Sequence, residues 1–426
     1  MSIFLIILLF ANYIFYAYLD LKNLPVLLFM SIFTWAGGAL IYHLRSRSKE
    51  AAAKATCLIL IACQIFVLCF FKYSPAYSLP VGMSFYMLMA ISFLADVYRG
   101  EFDSLPPLAV VMCYLSFFPT ILSGPIMKSK DLIPQFSSRR KLTAERVTAA
   151  LYMIVFGIFL KLVMADRLSV SVDKVYSAPL VYSGLTLFIT SVGYTLQLLF
   201  DFAGYSYIAI GTAKILGFDI IQNFNLPYLA MNPSEFWRRW HISLSSWFKD
   251  YLYFPLGGSR RGNFRTYLNI MTVMIVSGLW HGSTLNFLIW GILHGLGQVI
   301  HRLFAITKKN AQPSAAIRIL SVSLNFLFIN FLWIPFRVKT LHDSWTIFRR
   351  IITFAPGSSY FYVYTFIFMA LLLVLMIYGA VKTNGNNPLK PLPLNRFPGR
   401  LVFCIMLFAI GMFAYFGNSA FIYAAF

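Results

Sequence analysis

The chain has 426 residues, of which 59% are hydrophobic, 18% aromatic and only 12% charged. A soluble domain carries about 25% charged residues, so this composition excludes a soluble globular protein and fits one polytopic membrane domain over residues 1–426. Its 35 Lys and Arg against 14 Asp and Glu give a net charge of +21, but the cations cluster between apolar runs, as they do in cytoplasmic loops, which argues for membrane lipids rather than nucleic acid as the partner.

Apolar runs of the ~20 residues needed to cross hydrocarbon fall at 2–19, 24–43, 55–72, 78–95, 107–123, 147–165, 180–200, 203–217, 266–280, 284–303, 316–336, 361–380 and 401–422. The first lacks a basic leader and a small-residue cleavage site, so it reads as a span, not a signal peptide. Pro119 and Pro125 interrupt the region around 107–123. Charge bookkeeping across the loops makes at least one segment near there re-entrant, unless the positive-inside rule fails in this chain. The glycine-containing stretch Phe202 to Tyr207 reads as a break between two spans. Cys57, Cys63, Cys69, Cys113 and Cys404 sit inside apolar runs without metal-ligand spacing. They read as packing residues.

Residues 232–256 differ from the spans. Asn232-Pro233-Ser234-Glu235 is a helix start, with Asn as cap, Pro at the first position and Glu at the third. The predicted helix, about 233–252, carries Trp237, Trp240, Leu244, Trp247, Phe248 and Tyr251 at spacings of three and four. Arg238, Arg239, Ser245, Ser246 and Lys249 fall mostly on the other side. Such a helix suits the headgroup level of a bilayer, and His241 lies at the edge of its stripe.

The region 259–309 carries the most chemistry. Its basic ends, Arg260, Arg261 and Arg265 and then Arg302, Lys308 and Lys309, bracket two apolar segments joined at Ser277-Gly278-Leu279-Trp280-His281-Gly282. At 1.5 Å per residue, His281 stands roughly 24 Å from the first basic end, and the second segment returns a similar distance. The two segments, 266–303, form a helical pair with both ends on the cytoplasmic face. An ionisable residue at a break in the membrane is a functional candidate, and neutral imidazole suits proton removal from a hydroxyl. A histidine capping a helix end is the alternative. His294 fits an interhelical hydrogen bond as well as a site role, and Gly291 and Gly295 permit close helix packing. Gln197 and Asp201 lie one turn apart. The carboxylate needs an Arg or a set of backbone donors as partner, and both a packing network and a substrate contact fit the pair. None of the six histidines forms a metal-binding pair, so no metal is expected. No Gly-x-Ser-x-Gly elbow, P-loop or Cys/His protease pairing supports covalent catalysis by this chain.

The ordered runs Glu235-Phe236-Trp237-Arg238-Arg239-Trp240-His241-Ile242-Ser243-Leu244-Ser245, Pro255-Leu256-Gly257-Gly258 and Ser277-Gly278-Leu279-Trp280-His281-Gly282 resemble the membrane-bound O-acyltransferases, closest to the bacterial alginate O-acetyltransferase branch. Pro80-Val81-Gly82, Asp96-Val97-Tyr98-Arg99-Gly100, Phe117-Phe118-Pro119, Ser123-Gly124-Pro125, Phe200-Asp201-Phe202-Ala203-Gly204-Tyr205-Ser206 and Phe421-Ile422-Tyr423 extend the likeness over nearly the whole chain. The resemblance implies an all-α integral membrane protein: a ring of about 11 transmembrane helices, with re-entrant and interfacial helices, around a central tunnel. It implies His281 and His241 as catalytic positions. Arg239, Trp240, Ser243 and Trp280 of the same motifs, with Asp201 and Gln197, become candidate substrate contacts. It further implies a bacterial inner-membrane O-acetyltransferase without a cofactor. Its acyl donor would be cytoplasmic acetyl-CoA, and its partners a polysaccharide acceptor and an extracytoplasmic protein of the SGNH type. D-alanyl transfer from a carrier protein to teichoic acid is the second expectation; a polysaccharide or lipid exporter, which would show internal repeats, is the third. Two departures stand out: the chain starts at what is usually the family's second span, and Tyr207 replaces an Asp that commonly follows Gly-Tyr-Ser.

Overall fold

The structure, a computed structural model, describes residues 3–74, 76–138, 141–305, 314–370, 374, 394 and 396–417. The regular secondary structure of the described residues is helical, with no strand among them, only an isolated bridge between Tyr182 and Ser358. Six helical stretches are long and apolar enough to cross a membrane: Ile3–Ser46, Glu50–Tyr73, Ala144–Tyr176, Gly184–Ile215, Leu285–Phe304 and Ala315–Arg337. The chain is a multi-pass membrane protein.

The helices group into two units. The first comprises residues up to Leu151 together with Ile208–Ile221. In it, α1 (Ile3–Asp20), α2 (Leu24–Ser46) and α3 (Glu50–Tyr73) have exposed apolar surfaces, among them Ile3, Ile7, Phe10 and Ile14 on one stripe of α1. Exposed apolar stripes of this kind belong against lipid. Helix α4 (Met83–Arg99) is buried on every side from Met83 to Val97, as expected of a helix that is apolar all round. Helix α5 (Leu108–Leu115) is only 8 residues long, far short of a crossing. The backbone beyond it is held by Asn12, whose Oδ1 accepts from the Phe118 amide at 3.1 Å. The expected non-crossing segment near 107–123 is therefore a short helix followed by irregular chain. A further single-turn helix, α6, covers Ser129–Leu132.

The second unit comprises 152–207 and the residues from 222 onward. Helix α7 (Ala144–Phe159) continues through a π-helical turn, Leu160–Ala165, into α8 (Asp166–Tyr176). Helix α9 runs unbroken over Gly184–Ile215, so the expected break at 202–207 does not occur. The glycine there acts as a notch: a Cβ on Gly204 would lie 2.8 Å from the Gly157 carbonyl oxygen. The predicted helix 233–252 is instead two short helices, α10 (Pro233–Arg239) and α11 (Ile242–Phe248), followed by a π turn at Lys249–Tyr253. Its Trp237, Trp240, Leu244, Trp247 and Phe248 are buried in the protein. The stripe therefore faces protein rather than headgroups.

Helices α12 (Asn263–His281) and α13 (Leu285–Ala305) form the predicted hairpin. They pack antiparallel on glycine: a Cβ on Gly278 would meet the Phe287 oxygen at 2.3 Å, and one on Gly291 the Met274 oxygen at 2.4 Å. Helices α14 (Ala315–Arg337), α15 (Leu341–Ile352) and α16 (Phe397–Phe413) follow. The expected span 361–380 is helical over 363–370; most of its remainder, with Lys308, Lys309 and Phe421–Tyr423, lies outside the described residues.

Candidate functional site

His281 is the last residue of α12, and the turn at Gly282–Thr284 sends the chain back into α13. The imidazole is 2% exposed. Its ring centroid lies 4.9 Å from Trp280, 5.1 Å from Phe336 and 5.2 Å from Trp290. A ring held in this way has its orientation set by packing from α12, α13 and α14.

His241 occupies the junction of α10 and α11 in a left-handed conformation, φ 43° and ψ 54°. Asparagine, aspartate and histidine are the non-glycine residues most often found there. The junction is fastened by the segment 223–225. The Ile242 amide donates to the Asn223 carbonyl at 3.0 Å, and the Asn225 amide to the Arg239 carbonyl at 2.9 Å. The Ser243 hydroxyl donates to Asn223 Oδ1 at 2.6 Å, while Asn223 Nδ2 donates to Ser206 Oγ on α9 at 3.1 Å. Asn223 was not singled out by the sequence, because an asparagine in a connecting loop carries no signal until its partners are known. Buried completely, His241 packs edge-on against Phe202 at 4.7 Å and 6.4 Å from Trp280. Burial pushes its pKa down to about 3, so the ring is neutral at physiological pH.

Trp280 thus has ring contacts with both histidines. A second path of rings joins them through Phe202, Phe224, Trp240, Trp333 and Phe336, with successive centroids 5.0 to 5.2 Å apart along that path. The structure therefore brings His241, His281, Trp240, Trp280 and Ser243 into one region. Arg239 has other partners: it donates to Glu235 Oε1 at 2.7 Å and to the Asn225 carbonyl at 3.4 Å.

Asp201 is paired with a lysine rather than the arginine or backbone donors expected. Lys161, from the π turn, donates to Asp201 Oδ1 at 2.7 Å and lies 2.9 Å from Asp166 Oδ1. All three residues are buried. The close approach of α9 at Gly204 puts it against the backbone of Lys161. Gln197, one turn earlier, is buried, and its Oε1 has no hydrogen-bond partner among the described residues. Tyr207, where an Asp was expected, accepts from Gln222 Nε2 at 3.0 Å.

A buried, aromatic-walled imidazole at a helix end is suited to general-base chemistry on a hydroxyl. The comparison with known proteins decides what kind. The membrane-bound O-acyltransferase family model matches residues 5–341. The chain belongs to this family. It is an acyltransferase. The probable alginate O-acetylase of Pseudomonas aeruginosa is 32% identical over 370 residues, covering 82% of this chain and 70% of that protein. The peptidoglycan O-acetyltransferase of Helicobacter pylori is 31% identical over 378 residues, covering 78% and 71%. More distant is the teichoic acid D-alanyltransferase of Bacillus subtilis, 26% identical over 276 residues, covering 62% and 69%. Both histidines lie within the region matched by the family model.

Proposed function

We propose that this acyltransferase moves acetyl from cytoplasmic acetyl-CoA toward hydroxyls of an extracytoplasmic polysaccharide, an exopolysaccharide or peptidoglycan. It does so from the bacterial inner membrane, with a periplasmic SGNH-type protein as partner. The observation that carries the reading is His281, seated at the end of α12 among Trp280, Trp290 and Phe336. The names of the two O-acetylating relatives support acetyl as the cargo.

In this reading the imidazole of His281 takes the proton of the acceptor hydroxyl as its oxygen bonds to the thioester carbonyl carbon. Collapse of the tetrahedral species breaks the C–S bond, and the leaving thiolate receives the proton from the imidazolium. Arg260, Arg261 and Arg265 are exposed near the other end of α12, and a cationic entrance raises the local concentration of an anionic donor. His241, neutral and buried, supports the wall of the site through its edge contact with Trp280.

The test is transfer by the purified protein in proteoliposomes, with acetyl-CoA labelled in the acetyl group outside and polysaccharide or secreted partner inside. Label on the acceptor side supports the reading. Transfer only from a D-alanyl carrier protein would replace it with the second reading, which the similarity to the Bacillus subtilis enzyme supports. Transfer from neither donor would overturn both.

A further inference from the structure

Beside His281, three N–H groups lie buried without any acceptor among the described residues. They are the indole Nε1 of Trp290, the indole Nε1 of Trp333 and the Nε2 of His294. All three residues are 0% exposed. Their rings form one cluster, with centroids 4.7 Å apart for Trp290 and His294, 5.9 Å for Trp290 and Trp333, and 6.1 Å for His294 and Trp333. Trp290 is the ring 5.2 Å from His281.

His294 is a donor at Nε2 because of Trp237. The Trp237 indole donates to His294 Nδ1 at 3.3 Å, so that nitrogen offers a lone pair and the neutral ring carries its proton on Nε2. The hydrogen-bonding capacity of the cluster is therefore one-sided. Phe236, Phe328 and Phe336 complete its walls with carbon only. Buried donors left unmade are costly and few in folded proteins. Three on neighbouring rings, next to a candidate base, call for an acceptor that arrives with the substrate.

We infer that Trp290, Trp333 and His294 form a donor cage for the acyl carbonyl oxygen, with Trp237 fixing the tautomer of His294. The inference rests on the acyl-transfer reading above and adds the electrophilic half of the site. The three donors carry no net charge, which suits an oxygen that is neutral in the bound thioester and negative only in the transition state. When the hydroxyl oxygen bonds to the carbonyl carbon and His281 takes the proton, the carbonyl electron pair moves onto that oxygen, and the donors hold it. The pair returns as the C–S bond breaks. Donors placed in advance where charge develops act mainly on kcat.

The test removes the N–H while keeping the ring. Trp290→3-benzothienylalanine and Trp333→3-benzothienylalanine put sulfur where each indole nitrogen was, and the assay is acetyl transfer from acetyl-CoA in proteoliposomes. Each variant should lose ~10²-fold or more in kcat, with KM for acetyl-CoA within a few-fold of wild type. Each should unfold at the same temperature or higher, because an unsatisfied donor is gone. Wild-type kcat in both variants, alongside an active wild-type enzyme, would overturn the cage and leave the function standing. A parallel loss of kcat and thermal stability would assign the indoles to packing and also overturn it. A wild-type protein that transfers no acyl group would remove the proposed function and the cage together.

Discussion

Two buried polar regions of the second unit are built on opposite principles. Around His281 the walls are aromatic rings from α12, α13 and α14, with Trp237 of α10 packed behind Trp290. Around Asp201 the polar groups are ions: Lys161 lies 2.7 Å from Asp201 and 2.9 Å from Asp166. A charge in a dry interior is stable only when compensated, and the compensation holds α9 against the π turn. An imidazole set among aromatic rings can take a proton from a hydroxyl during a reaction. The ion cluster is suited to fixing helices, whereas the aromatic region is suited to changing protonation state during a reaction.

The sharpest way to break this division is to exchange the effects of the two regions. His281→Asn, close in size, should lower the rate of acyl transfer by about 10²–10⁴-fold, the usual worth of a general base, with little change in thermal unfolding. Wild-type turnover by the purified variant would end the assignment of His281. The ion cluster should respond in the reverse manner. Lys161→Met removes the cation that lies 2.7 Å from Asp201 and 2.9 Å from Asp166 and should cost about 3–5 kcal/mol of stability, as breaking a buried pair does. Asp201→Asn keeps one lysine–carboxylate pair and should be milder. If Lys161→Met unfolds at the wild-type temperature and loses only activity, the lysine serves the reaction and the division fails.

The contrast also separates what was legible in the sequence from what was not. The hairpin was legible because its signals are local: basic ends, two apolar runs of matched length, and glycines at a turn ending in His281. The start of α10 was legible for the same reason, since Asn232 caps Glu235 within one turn, at 2.8 Å. The partner of Asp201 was not, because Lys161 is 40 residues away and comes close only through a π turn that no periodicity reveals. Gly204 was misread for a related reason. A glycine in an apolar run can end a helix or admit a neighbour, and only the neighbour, Gly157, decides. The break at His241 was hidden because the apolar stripe continues through it in register, while the hydrogen bonds that split the helix come from 223–225.

His241 combines an imidazole that burial keeps unprotonated with a backbone-fixed left-handed turn, and two substitutions separate these roles. His241→Gly keeps the left-handed turn without strain, so any loss of activity reports the imidazole itself. His241→Ala must hold φ near 43° with a Cβ, which costs on the order of 1 kcal/mol more. The glycine variant should therefore be as stable as or more stable than the alanine variant, and both should lose less activity than His281→Asn. The pH dependence gives an independent check. In the unfolded chain the imidazole takes a proton below about 6.5, whereas burial holds the folded form unprotonated down to about 3. Between these values the unfolded state binds more protons, so the His241 contribution is fully present above about 6.5 and is lost as pH falls toward 3. In thermal unfolding measured across that window, His241→Gly should flatten the acid slope relative to wild type. An unchanged slope would mean that the folded imidazole already carries its proton, and would place His241 among the charged groups rather than beside His281.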